Sequence, residues 1–460
     1  MLKNKIIFII FLISLPNALA DPDVQYQIFK INLNASVDLD YTSSISKLVY
    51  FNSNLYVFPK DEFNQEVLEF DVKSNPSASV RKSNIINYNW QSFDEDSLDF
   101  GYDAKVKVNT LVKRIDKEIP LPDQFVEREY VKYVKPSEFI DINPSIRIKA
   151  SEITANSDDL YETVVDVAEW IRINVKYDIN TLTEDALQKS SWVLENKYGV
   201  CDEITNLFIS FLRSLNIPTR YVTGIAFTDA VEKGWDLHAW AEVYFEGIGW
   251  VPFDVVFGEY GWVDSGHIKF FDSVDSDNPS VEYSWKAVKV ELDKKNLDIN
   301  SNVLEKGDKI IPFVSLDVNV LKNKVGSSSF IPIQVIVKNL QPYYLAPLVY
   351  VINGPNIIGD TAQAVLLKPY EEKTIYWTAL ADKILDQNVK YQYEVVVTNN
   401  FGASDKDTLE ISYDYLAINQ QDANMIITKA KNNITLEDEF LEIKVEDDLN
   451  WLERLLQWIF

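Results

Sequence analysis

Between Cys201 and Asp254 the spacing of apolar residues changes from the period of a helix to that of a strand, and this stretch limits the available folds more than any other. Ile204, Leu207, Phe208, Phe211, Leu212 and Leu215 recur at i, i+3, i+4, i+7, i+8 and i+11, the stripe of a helix with one buried face. Gly199 permits a tight entry, and Pro218 prevents continuation soon after Leu215. Residues 220–224 then read as a strand. From 238 to 244 the chain alternates, with Ala239, Ala241 and Val243 on one face and His238, Trp240, Glu242 and Tyr244 on the other. A turn near 246–248 returns it through Trp250 to Asp254. A helix followed by antiparallel strands that it can cover is the centre of an α+β domain.

Three side chains on these segments carry chemistry. Cys201 is the one cysteine of the chain and His238 one of its two histidines. At a helix start, unpaired N–H groups and the positive end of the macrodipole favour a thiolate and an oxyanion formed beside it. Asp202 and Glu203 act against this, so ionisation of Cys201 calls for an ion pair with His238. Cys201, His238 and Asp254 supply a nucleophile, a base and an anion to orient that base, which suffices for acyl transfer through a thioester. Register sets a condition. A two-residue turn at 246–247 would pair Ala239 with Asp254 and put the carboxylate on the face opposite His238. A three-residue turn at 246–248, or a bulge, pairs Trp240 with Asp254 and makes Asp254 the diagonal, same-face neighbour of His238.

Each residue has a plainer reading when taken singly. A lone cysteine is usually a small buried hydrophobe, a histidine on a strand is usually structural, and an aspartate after Pro-Phe usually ends a turn. The three in this order outweigh those readings. His267 reads as a structural or rim residue, and Trp192, Trp235 and Trp240 as core or cleft wall. Gln188 and Trp192 are candidates for a second oxyanion donor beside the Cys201 backbone. No motif calls for a cofactor or a bound metal. The acidic loop 272–278 lacks the spacing of a calcium loop and reads as a solvated turn.

Gly-Val-Cys-Asp-Glu at 199–203, His-Ala-Trp-Ala-Glu-Val-Tyr at 238–244 and Gly-Trp-Val-Pro-Phe-Asp at 249–254 resemble the transglutaminase-like superfamily in its prokaryotic branch. The resemblance extends over roughly 155–285. It implies a papain-like cysteine-protease fold, with Cys201 as nucleophile, His238 as base and Asp254 as orienting carboxylate. It also implies an enzyme of the protease, amidase or acyltransferase kind, acting on peptide or carboxamide bonds by hydrolysis or transamidation. The family includes non-catalytic members, so the alternative is a cell-surface binding scaffold that retains such a core.

The remainder of the 460 residues divides around that core. Residues 1–20 have the charged start, apolar run and Ala18-x-Ala20 site of a signal peptide, which implies an exported or cell-surface protein. Residues 21–150 are β-rich and read as an N-terminal β-sandwich, 151–292 as the α+β core, and 293–415 as an immunoglobulin-like or fibronectin-like sandwich. Residues 416–460 read as an acidic linker ending in an amphipathic helix at 449–460, suited to dock on a protein partner or at a membrane surface. A net charge of −26 argues against nucleic acid as a partner and leaves a protein or peptide substrate.

Overall fold

The computed structural model describes residues 24–91, 95–122, 126–178, 187–228, 234–383 and 389–432. The expected signal peptide and the C-terminal amphipathic helix lie outside the described residues. The chain is β-rich and built in three parts, with four of its helices gathered in the central one. Among the described residues no helix is long and apolar enough to cross a membrane.

The central part opens with helix Pro144–Ile153, whose Asn143 accepts a hydrogen bond from the Ile146 amide at 2.9 Å. Helix Leu160–Asn174 starts in the same way, with Asp159 accepting from Glu162 N–H at 3.0 Å. Short helix Ser190–Asn196 and helix Cys201–Ser214 follow. They cover one face of a five-stranded antiparallel sheet ordered Glu259–Tyr260, Gly249–Asp254, Trp235–Phe245, Thr219–Phe227, His267–Ser273. Leu207, Phe208 and Phe211 of the helix stripe share one buried cluster with Ala239, Ala241, Val243 and Phe253 of the sheet. The periodicities of 3.6 and 2 thus meet at a single apolar interface.

The N-terminal part holds two four-stranded sheets over one apolar cluster. One runs Val290–Lys306, Tyr26–Tyr41, Ser97–Asn109, Gln65–Asn75, and the other Val281–Val288, Lys47–Leu55, Ile86–Gln91, Ser79–Lys82. Each therefore borrows an edge strand from beyond the core. Val290–Lys306 pairs with Tyr26–Tyr41 from Tyr41↔Val290 to Gln27↔Lys306. The boundary expected at 292/293 consequently falls inside a strand that completes a sheet of the N-terminal part. The reason is physical: that strand is mostly exposed and rich in Lys, Asp and Asn, so it lacks apolar alternation and is held by pairing. The boundary expected at 150/151 likewise falls inside helix Pro144–Ile153, whose Ile146 and Ala150 lie in the central core.

The C-terminal part also has two sheets on one core. Val314–Val320, Phe330–Asn339, Glu372–Leu380 and Asn356–Ile357 form one, and Lys324–Val325, Ser404–Ser412, Lys390–Asn399, Leu348–Asn353 and Ala362–Ala364 the other. Val335, Val337, Val395, Val397 and Leu409 are the alternating residues that fill it. Helix Gln420–Lys431 lies where a polar linker was expected; two buried residues, Ala423 and Ile426, anchor it. The parts share apolar surface. Ile225, Ile268 and Phe270 of the central sheet join the N-terminal cluster, and Trp262 stacks on Phe401 at 4.5 Å in the C-terminal one.

Candidate active site

Cys201 is the first residue of its helix, and Glu203 reaches back to accept the Val200 N–H at 3.0 Å. One turn further, Thr205 Oγ1 donates to the Ala239 carbonyl at 3.2 Å. The helix start is thereby fastened to the strand beside His238. The sulfur itself lies 3.8 Å from Asp202 Oδ1, which also accepts from the Tyr221 hydroxyl at 2.7 Å. Burial, then Asp202 and Asp254, push the Cys201 thiol well up, and the backbone of Ala239 and Asp202 pulls only part of the way back. The helix terminus therefore does not ionise Cys201 unaided.

The hairpin after the His238 strand pairs Phe245 with Gly249, Tyr244 with Trp250 and Ala241 with Phe253, which leaves 246–248 as a three-residue turn. Gly247 and Gly249 take φ of 78° and 92°, values open to glycine at no steric cost. Continued by one step, this register sets Trp240 opposite Asp254 and puts Asp254 on the face of His238. His238 Nε2–H donates to Asp254 Oδ2 at 2.5 Å. The other oxygen, Oδ1, accepts the amides of Val256 and Phe257 at 2.8 and 2.9 Å. His238 and Asp254 are brought together; among the described residues no hydrogen bond joins Cys201 to His238.

Of the two readings of His267, structural or rim, the rim is the one that fails: the residue is buried, and its Nε2 lies 3.2 Å from the same Oδ2 of Asp254. Its Nδ1 faces Asp264 Oδ1 at 2.8 Å and Glu259 Oε2 at 3.6 Å. Burial works against a charge on Asp254, but His238 and His267 outweigh it and hold the carboxyl below its usual range. Burial likewise opposes protonation of His267, yet Glu259, Asp264 and Asp254 overcome it and raise the imidazole well above its ordinary value. Glu259 is pushed up by burial and by Asp264, and its Oε1 has no hydrogen-bond partner among the described residues. No local pattern announces His267; the available signal was that a 460-residue chain has two histidines and one lies thirteen residues past Asp254.

Other sequence candidates lie nearby. Gln188 donates its backbone N–H to Glu203 Oε1 at 3.4 Å, and Trp192 packs edge-on against Tyr198. Beyond Trp240, the same sheet face carries a buried ion cluster. Glu242 accepts from Lys269 at 2.9 Å and from Arg220 Nε at 2.6 Å. The cluster borders a cavity of about 210 Å³ whose wall includes His267, Trp250 and Lys113.

Two trios, His238–Asp254–His267 and Glu259–Asp264–His267, bring donor atoms within 4.8 Å of one another, the spacing at which side chains could surround a cation. Hydrogen bonds already link them: His267 uses both nitrogens on carboxylates, and His238 Nε2 is spent on Asp254. The arrangement as it stands is a hydrogen-bonded row able to fix an imidazole tautomer and stabilise positive charge on it.

Residues 148–255 match the family model described as the transglutaminase-like superfamily. An uncharacterised protein of Bacillus subtilis strain 168, YebA, is 25% identical over 213 residues, covering 42% of this chain and 26% of YebA. The chain thus spans about a quarter of the length of that relative. Among solved structures, a proposed cysteine protease of Cytophaga hutchinsonii is similar at 18% identity, with 61% of this chain and 93% of that one covered and a TM-score of 0.44. The periplasmic domain of TgpA from Pseudomonas aeruginosa, bound to ethylmercury, is similar at 14% identity, 52% and 92% coverage and a TM-score of 0.26. Red sea bream transglutaminase is similar at 10% identity, 85% and 80% coverage and a TM-score of 0.23.

Proposed function

Residues 148–255 form a domain of the transglutaminase-like superfamily, and on that premise we propose that the protein is an exported cysteine-dependent acyl-transfer enzyme acting on peptide or carboxamide bonds. The observation that carries the proposal is the 2.5 Å bond from His238 to Asp254 on a strand fastened to the helix that Cys201 opens. With Nε2–H spent on Asp254, Nδ1 of His238 is the nitrogen left to accept a proton. The thiol turns from Asp202 towards it and transfers its proton. The sulfur then attacks the substrate carbonyl carbon, and the C–S bond forms. The C–N bond breaks as His238 returns the proton to the departing amine. Water, or a second amine, attacks the thioester and releases the acyl group and the thiol. Orphan N–H groups in the first turn of the Cys201 helix suit the oxyanion.

The flanking parts we read as β-sandwiches, the C-terminal one immunoglobulin-like, that space the core and present it to a protein or peptide substrate outside the cell. Residues 449–460 would dock on a protein partner or a membrane surface. The test is product analysis with glutamine- and asparagine-containing peptides, with and without a primary amine: ammonia, chain cleavage and amine incorporation separate amidase, protease and transamidase. A second reading, a binding scaffold, is favoured by the contact of the sulfur with Asp202 and by the raised thiol. Labelling of Cys201 decides. Alkylation that persists well below the free-thiol value of about 8.5 and is lost in His238→Ala supports the enzyme. Alkylation that follows an ordinary thiol in both proteins supports the scaffold.

A further inference from the structure

Asp254 is held from two sides by the only two histidines of the chain, and the proposed acyl-transfer chemistry uses one of them. The geometry assigns the other a role: we propose that His267 is a positioning residue, an imidazolium clamp that fixes Asp254 from behind and sets how readily His238 takes up a proton. The catalytic consequence rests on the acyl-transfer reading; the clamp itself does not.

The charge state follows from the partners. A neutral imidazole has one donor and one acceptor nitrogen, and a carboxylate can only accept. His267 faces a carboxylate oxygen with each nitrogen, Asp254 at 3.2 Å and Asp264 at 2.8 Å, so it satisfies both only when it carries two protons. His238 has a carboxylate at Nε2 alone, and its ring otherwise meets Phe257 and Trp240 at centroid distances of 4.9 and 6.2 Å. The two histidine rings lie 5.7 Å apart. Two cations at that separation repel one another, so the charge settles on His267, which has more carboxylates around it. Glu259, on the edge strand Glu259–Tyr260, faces its Nδ1 at 3.6 Å. On the cavity side the charged groups are Arg220, Glu242 and Lys269, which pair with one another, and Lys113 and Glu62 across the opening.

Two effects on His238 follow. First, Asp254 is held at Oδ1 by two amides and at Oδ2 by His267, so it cannot rotate, and His238 keeps Nε2–H bound and Nδ1 free. Second, the cation on His267 offsets the anion on Asp254. Asp254 then acts on His238 with its charge partly offset, and Nδ1 is the nitrogen left to take the thiol proton. Without His267 the full charge of Asp254 would act on His238 and on Cys201 alike, making His238 more basic and the thiol harder to ionise.

The experiment is histidine-selective ¹⁵N NMR on the full-length protein, in which two rings give two sets of signals. In the wild type one ring should carry both protons between about pH 6 and 8, while the other is the Nε2–H tautomer. In His267→Gln, which can still donate one N–H to Asp254, the remaining His238 ring should titrate about two pH units higher, the size expected from removing a charge roughly 6 Å away at an effective dielectric of about 20. The pH profile of Cys201 alkylation should move in the same direction. Asp264→Asn, a milder change, should shift it less, and Asp254 would still be held. A wild-type spectrum with His267 neutral, or a His238 midpoint unmoved in His267→Gln, overturns the clamp. So does a His267 Nδ1–H signal that appears only after EDTA, because a metal would then stand where the proton is assigned. The two readings fail separately: NMR shifts with slow, His238-independent alkylation would sink the enzyme and leave the clamp, and fast alkylation with no shifts would do the reverse.

Discussion

The two faces of the central sheet are buried to a similar degree and held by different means. Ala239, Ala241, Val243, Val251 and Phe253 face the helices and are packed by Leu207, Phe208 and Phe211. On the other face lie His238, Trp240, Glu242, Asp254, His267 and Lys269, each between 0% and 9% exposed. The first face gains stability by area, and a lost methylene costs in proportion. The second depends on matched partners, and removing one strands the others. The difference teaches where function can be placed. A side chain may be changed in size on the apolar face, but on the polar face it must keep its charge and its hydrogens.

The comparison can be broken most sharply at Asp254. Asp254→Asn keeps the volume but no longer fixes the tautomer of His238. Turnover of a peptide substrate should fall by about 10⁴-fold, the loss in kcat when the orienting acid of such a triad is replaced by its amide, with circular dichroism unchanged. Next is Glu242→Ala, which leaves Arg220 and Lys269 buried without their shared acceptor. Urea denaturation should show a loss of about 3–5 kcal/mol. Acidity should separate the faces further. Asp254 is held below its unfolded value, so its contribution is present above about pH 4 and is lost as pH falls through the folded value. His267 is raised, so its contribution is complete below about pH 6.5 and is lost as pH rises through its folded value. Thermal unfolding followed against pH should therefore weaken at both ends, and in His267→Gln the alkaline loss should disappear. The smallest effect belongs to the apolar face. Phe253→Leu leaves a small cavity at a buried site and should cost about 1–2 kcal/mol while leaving the alkylation profile in place.

Legibility in the sequence follows the same division. The apolar face could be read because its signals are local: the stripe from Ile204 to Leu215 and the alternation at 239–243 need no knowledge of distant partners. Asp254 was reachable because turn length alone decides its face, and the turn is the three-residue 246–248. His267 was not. It sits on strand His267–Ser273, which pairs with Thr219–Phe227 and is separated by two strands from the strand of Asp254 in the sheet, and its Nε2 meets Asp254 at 3.2 Å. A Cβ on Gly224 would come within 2.6 Å of the Trp240 ring and 2.2 Å of the Ile268 carbonyl, a constraint visible only in three dimensions. The same limit hid the strand at 290–306, whose polar composition resembles a linker and whose partner is more than 240 residues away.

That returning strand has a consequence for how the protein is made. The first sheets of the chain stay open until residue 306 has been synthesised, so the core must be threaded out between the two halves of an unfinished neighbour. Long-range pairing of this kind is slow to form and leaves strand edges exposed meanwhile. Once it closes, Tyr26–Tyr41 and Val290–Lys306 act as a clasp around everything between them. A protease that nicks the core would then release nothing, since both fragments would remain zipped together at the clasp.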